Sequence, residues 1–220
     1  LKLMEEAYAP FNLVPRPAMP NAPQMAGWFR KRVTTTADFK GLRMRIVNLG
    51  GKVYARAGAT TVLTPGNEIY AALERGTIDT AEWIGPHYDM QSGLHRTARY
   101  YYYPGWHEPG TTAEFGFNKK AYDGLPAELK AIVDHACQSV QVVSFQEYEF
   151  KNTIALQKLR TEFKSKVEIV KLSDPILNLW AKVNWIIPKI EEQQQNFFDL
   201  IIPRFDHYLS AEQIAAIGDP

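Results

Sequence analysis

The chain has 220 residues, 45% of them hydrophobic and 22% charged, with 25 Lys and Arg against 24 Asp and Glu. A net charge of +1 excludes a strongly basic nucleic-acid binder, and the apolar content excludes a disordered acidic tail. The single cysteine, Cys137, excludes an internal disulfide and a Cys-rich zinc site, and no run of about 18 apolar residues occurs.

The chain opens on Leu1–Tyr8, which reads as the end of an amphipathic helix, with no initiator Met and no secretory pattern. Phe11–Val14 is apolar, and Pro15, Pro17 and Pro20 after it favour extended or turn backbone. Gln24–Val33 reads as a strand, and Thr36–Phe39 as a capped turn ended by Gly41. Leu42–Val47 alternates, with Leu42, Met44 and Ile46 on one face and Arg43 and Arg45 on the other. A short helix over Lys52–Ala57, a β-like segment at Thr60–Leu63 and a second helix from Pro65 to Gly76 follow. That second helix carries Ile69, Ala72 and Leu73 on one side.

Thr77–Ala81 is a strand running into Glu82-Trp83-Ile84-Gly85-Pro86. Tyr100–Tyr103 leads into Pro104-Gly105-Trp106-His107-Glu108, and Ala113–Asn118 reads as another strand. If the tyrosines form a strand, alternate rings point to opposite faces, so at most two line a cleft. A long helix starts at Leu125-Pro126 and keeps helical spacing through Leu129, Ile132, Val133, Ala136, Val140 and Val143 to Phe145. Helical pattern resumes at Leu156 and Leu159, and again over Pro175–Phe198. Strands alternating with short helices predict an α/β sheet with crossover connections.

Arg45 lies on a strand face just before Gly50-Gly51, where a guanidinium suits bidentate capture of a carboxylate; a solvated surface arginine is the alternative. Gly50-Gly51 shows neither a dinucleotide nor a Walker pattern. Glu82-Trp83 sits at the C-terminal end of a strand, where open α/β sheets place ligands, although a structural carboxylate fits equally. Glu108, with Glu82 or the Gln24 amide, suggests an oxygen-rich cation site. Zinc on His87, His95 and His107 is a weaker alternative, because their spacing matches no HExxH motif. A metal-dependent enzyme using Glu82, Glu108 and His107 is the alternative function, though no nucleophile is evident.

Four segments together carry a resemblance: Gln24–Phe29, Asp38–Ile46, Gly76–Pro86 and Tyr100–Glu108. Their order and spacing are similar to those of the DctP-type solute-binding component of TRAP transporters, in the branch that binds 2-oxo acids such as pyruvate, or lactate. The match covers about residues 1 to 160. It implies a two-lobed α/β clamp of the periplasmic binding protein type, not an enzyme, with a helical C-terminal region. It also implies that the N-terminal part of the first lobe lies outside this chain, as in a C-terminal portion of a longer periplasmic receptor.

On this resemblance, residues 1–81 are a second-lobe α/β segment, 82–122 cross into the first lobe, and 123–220 form a helical region returning to the second lobe. Arg45 is expected to hold the substrate carboxylate, with Gln24, Glu82 and Trp83 also in contact. A sodium or calcium ion is expected on the Gln24 side-chain oxygen, the Trp83 main-chain carbonyl and the Glu108 carboxylate. The implied partners are a small carboxylate, TRAP permease subunits and a second copy of the chain through the C-terminal helices.

Overall fold

The computed structural model describes residues 1–21, 24–108 and 110–182. In chain order the first elements are α1 (Lys2–Tyr8), β1 (Leu13–Asn21), β2 (Gly27–Phe29), β3 (Arg43–Arg45), α2 (Asn48–Arg56), β4 (Thr60–Val62), α3 (Ile69–Arg75) and β5 (Thr80–Ala81). They are followed by α4 (Pro86–Gln91), β6 (Tyr100–Tyr103), β7 (Thr111–Asn118), α5 (Lys119–Asp123), α6 (Ala127–Thr161), β8 (Glu168–Lys171) and α7 (Asp174–Lys182). Ala22-Pro23 and most of the helix predicted to Phe198 lie outside the described residues, as does most of the segment expected to support a dimer.

The described chain divides into two compact units, one of residues 1–18 with 114–138, the other of 19–113 with 139–182. These boundaries differ from the expected divisions at 81 and 122: residues 82–113 belong with the larger unit, as does the second half of α6. Strand pairing is the reason, because β6 hydrogen-bonds to β2 and β8.

In the smaller unit, β1 pairs with β7 in a two-stranded ribbon. The proline-rich segment is therefore extended rather than a turn, and a strand with one neighbour tolerates prolines that cannot donate. Arg16, buried on β1, gathers the surrounding helices. Its Nε donates to Asp134 at 2.6 Å, Nη1 to Glu5 at 2.6 Å and Nη2 to the Tyr122 hydroxyl at 2.8 Å. The bond from Arg16 holds the Asp134 carboxyl below its usual range. Leu129 and Ile132 on α6, which share a helical apolar stripe, are 46% and 62% exposed rather than core.

The larger unit is built on a six-stranded mixed sheet in the order β4-β3-β5-β2-β6-β8. β3 runs parallel to β4 and β5, β6 runs parallel to β8, and β2 is antiparallel to β5 and β6. Strands β2 and β5 are shorter than the alternation predicts, and β8 has no clear signal in the sequence. Strand alternation gives each face of the sheet its own core. Phe29, Phe39, Met44, Tyr54 and Tyr102 lie in one, and Trp28, Ile69, Leu73, Leu94 and Tyr101 in the other. Trp28 and Tyr101 are cross-strand partners whose rings stack at 3.9 Å. Both buried tyrosines are thus core, one on each face of the sheet, as alternation requires. α6 runs unbroken through the interruption predicted after Phe145.

A buried carboxylate ties this core to the turn after β5. Asp89 on α4 accepts from Trp28 Nε1 at 2.9 Å and the Tyr101 hydroxyl at 2.8 Å with one oxygen. Its other oxygen accepts from the backbone N–H of Ile84 at 3.0 Å and of Gly85 at 2.9 Å. Burial outweighs these four donors and pushes the carboxyl up from its ordinary 3.8 to about 6. Because the folded value is the higher one, Asp89 contributes stability below about pH 4 that is lost as pH rises through about 6. In chemical denaturation, the stability of the wild type relative to Asp89→Asn should fall by up to about 3 kcal/mol across that window. Parallel pH profiles for the two proteins would exclude Asp89 as the titrating group.

Candidate functional site

The site forms at one end of the sheet, where β3 and β5 finish side by side in parallel. Backbone pairing of Arg45 with Ala81 fixes the register, and the Glu82 N–H donates to the Arg45 carbonyl at 3.0 Å. Arg45 and Glu82 consequently emerge next to each other, 5% and 1% exposed. Arg45 Nη1 donates to the Glu82 carboxylate at 2.9 Å and to its carbonyl at 2.6 Å, while Nε donates to the Thr64 carbonyl at 3.2 Å. The reading of Arg45 as a solvated surface residue is therefore corrected: the strand face opposite Met44 is covered. Among the described residues no acceptor meets its Nη2, so the two N–H donors of that nitrogen are available to a ligand while Nε and Nη1 are held.

Burial pulls the Arg45 guanidinium below its ordinary value, and the negative charges of Glu82, Glu108 and Asp89 oppose that pull. The Trp83 ring lies against the guanidinium, its centroid 5.2 Å from Cζ, a cation–π arrangement. Gly66 permits this placement, since a Cβ there would collide with the far edge of the indole. Neither Thr64 nor Gly66 was legible as part of the site: a backbone carbonyl and a missing side chain leave no mark in residue chemistry.

Gln24 and Glu108 meet a few residues away along the chain ends of β2 and β6. The Gln24 amide nitrogen donates to Glu108 Oε2 at 2.8 Å, and Thr111 Oγ1 donates to the same oxygen at 3.3 Å. The Gly105 N–H donates to the Gln24 carbonyl at 3.0 Å, an approach that any side chain at Gly105 would block. Since the amide nitrogen faces Glu108, Gln24 Oε1 points elsewhere, buried and without a hydrogen-bond partner. An orphaned amide oxygen and a nearby carboxylate are donors of the type a hard cation takes. With the amide turned so that Oε1 rather than Nε2 faces Glu108, these two residues would hold the expected sodium or calcium, with the Trp83 carbonyl as the third expected ligand.

His107 is buried with its Nε2 3.7 Å from Glu82 Oε1, and neither ring nitrogen has a hydrogen-bond partner. His87 opens α4 beside Asn152, and His95 packs on Phe163. The three histidines do not gather, and among the described residues no three His, Cys, Asp or Glu side chains form a metal cluster. The zinc reading and the three-residue enzyme centre of Glu82, Glu108 and His107 both lose their geometric basis. Among the described residues no helix is long and apolar enough to cross a membrane.

Residues 21–193 match the family model of bacterial extracellular solute-binding protein, family 7, the DctP family. The chain belongs to this family. A monocarboxylate 2-oxoacid-binding periplasmic protein of Nostoc sp. PCC 7120 is 39% identical over 187 residues, 85% of this chain. The chain spans about half the length of that relative, 50% of it.

Two solved structures of TRAP periplasmic solute-binding proteins are each 32% identical to it. The protein from Pseudoalteromonas atlantica, with bound sodium and pyruvate, superposes with a TM-score of 0.83 over 100% of this chain and 68% of its own. The one from Colwellia psychrerythraea, with bound calcium and pyruvate, gives 0.85 over 98% of this chain and 64% of its own. The DctP family chain thus has the α/β fold of these receptors.

The ion pair at the end of β3 and β5 gives a test of burial. Glu82→Gln leaves a buried arginine without its countercharge and is expected to cost about 3–5 kcal/mol. Asp79→Asn, which breaks the exposed Arg43–Asp79 pair at 2.8 Å, should cost about 1 kcal/mol or less. Urea titration of both variants checks the order, and equal losses would contradict it.

Proposed function

We propose that this protein is a periplasmic receptor that captures a small monocarboxylate, of the 2-oxo acid or lactate type, together with sodium or calcium. It then delivers the pair to a TRAP-type membrane permease, and no bond is made or broken. The observation that carries this reading is Arg45, buried, its Nε and Nη1 held by Thr64 and Glu82 and its Nη2 donors left free. A guanidinium already fixed in orientation offers those donors to a carboxylate with little further ordering. The relatives found with pyruvate and a cation support the same class of ligand.

Each residue has a distinct part in this reading. Arg45 binds the ligand carboxylate. Glu82 positions Arg45, and Trp83 walls the guanidinium on its ring face while offering its carbonyl. Gln24 and Glu108 hold the cation, which supplies the positive charge that Glu108 and an incoming carboxylate both require. Without it, Glu108 would repel the ligand.

Calorimetric titration of the protein with pyruvate and calcium tests these roles. Arg45→Gln should weaken binding about tenfold to a hundredfold, the worth of a charge-assisted hydrogen bond. Glu108→Gln should weaken it in calcium and also shrink the difference between calcium-loaded and chelated protein. Unchanged affinity in both variants would overturn the assignment.

A further inference from the structure

A cavity of about 740 Å³ lies away from the site above and within the same unit. Pairing places it at the other end of the sheet. Phe29 of β2 stands opposite Thr80 and Tyr100, which begin β5 and β6, whereas Arg45 and Glu82 lie where β3 and β5 finish. Arg30 follows Phe29 and Arg99 precedes Tyr100, so both fall at this opposite end. With them the cavity is lined by His95, Arg96, Ser165 and Lys166.

No carboxylate lines it. Among the described residues none of Arg30, Arg96, Arg99 and Lys166 forms an ion pair. That contrasts with Arg16, Arg32, Arg43 and Arg45, each of which meets an acidic side chain. Four cations sharing a concavity without countercharge repel one another, and the chain as a whole, at +1, has no general excess to explain them.

His95 is a second feature of the lining. His95 is only 6% exposed, its ring edge-on to Phe163 at 4.7 Å, and its Nδ1 is buried without a partner. Burial, with Arg96 and Lys166 nearby, depresses its pKa, so the ring supplies a neutral N–H rather than a fifth charge.

We propose that this cavity binds a multiply charged phosphate group, held by the forks of Arg30, Arg96 and Arg99, the Lys166 ammonium and the His95 N–H. A single negative charge would leave most of the cluster uncompensated. Guanidinium forks match phosphate oxygens in pairs, and the volume admits a phosphomonoester or a phospholipid headgroup as well as a free ion.

The test titrates the protein with inorganic pyrophosphate at low salt, and in parallel floats it with phosphatidic acid or phosphatidylcholine vesicles. Saturable pyrophosphate binding assigns a free phosphate compound; capture by phosphatidic acid vesicles alone assigns a headgroup. In either case Arg96→Gln/Arg99→Gln should weaken binding at least tenfold while its pyruvate affinity and thermal unfolding stay unchanged. His95→Phe, which keeps the ring against Phe163, should weaken it as well. No binding in either arm, equal affinity for citrate, or an unaffected double variant would overturn the proposal.

Discussion

The proposed ligand end of the sheet depends on one buried ion pair, Arg45 with Glu82. Taking a guanidinium and a carboxylate out of water costs several kcal/mol each, and their attraction repays this only when geometry and further hydrogen bonds are good. Arg45 and Glu82 meet that condition because parallel pairing of β3 with β5 brings their backbones into register. The Thr64 and Glu82 carbonyls then satisfy donors that the carboxylate does not reach. Apolar residues of similar volume would stabilise the fold as well or better. What the pair provides instead is a positive charge with fixed orientation, so little ordering remains to be done when an anion arrives.

The same economy of position extends behind the site. Glu82-Trp83-Ile84-Gly85 is the short connection from β5 to α4, and Asp89 accepts from two of its N–H groups. Asp89 also holds Trp28 and Tyr101, the stacked pair at the centre of one core. The turn that carries Glu82 and Trp83 is therefore anchored to a fully buried pair in the core. Buried polar groups of this kind are costly unless fully satisfied, and Asp89 is satisfied by four donors.

Much of this architecture was legible because it rests on local rules. Alternation in Leu42–Val47 separated Met44 from Arg45, and Gly76 marked the end of α3 through its positive φ of 71°. Ile69, Ala72 and Leu73 showed its buried face. The candidate residues Gln24, Arg45, Glu82, Trp83 and Glu108 came from their order along the chain and the family resemblance. The burial of Arg45 was not legible, since its partner is 37 residues away and strand alternation alone assigns it to an open face. Asp89 was missed for the same reason: a polar residue on a short helix looks solvated until its four donors, from three separate segments, are assembled. β8 escaped because its pairing with β6 crosses more than sixty residues, with only four residues of pattern to announce it.

The charges at the proposed ligand site also favour an anion and a cation arriving together. The residues contribute one guanidinium, Arg45, and two carboxylates, Glu82 and Glu108. Glu82 already balances Arg45, so Glu108 is the charge in excess, tempered only by the amide of Gln24 and the hydroxyl of Thr111. A monocarboxylate entering alone would add a second uncompensated negative charge in a partly dry environment, where such repulsion is stronger than in water. A divalent cation on Gln24 and Glu108 would bring the assembly to neutrality, and a monovalent one would leave a single negative charge. Both cases lower the repulsion, which agrees with relatives that hold pyruvate beside sodium in one protein and calcium in another. Selectivity between the two ions then rests on the number of oxygens offered rather than on charge alone. In the proposed site the Gln24 oxygen would add a ligand without adding charge, so that one set of residues would serve either ion.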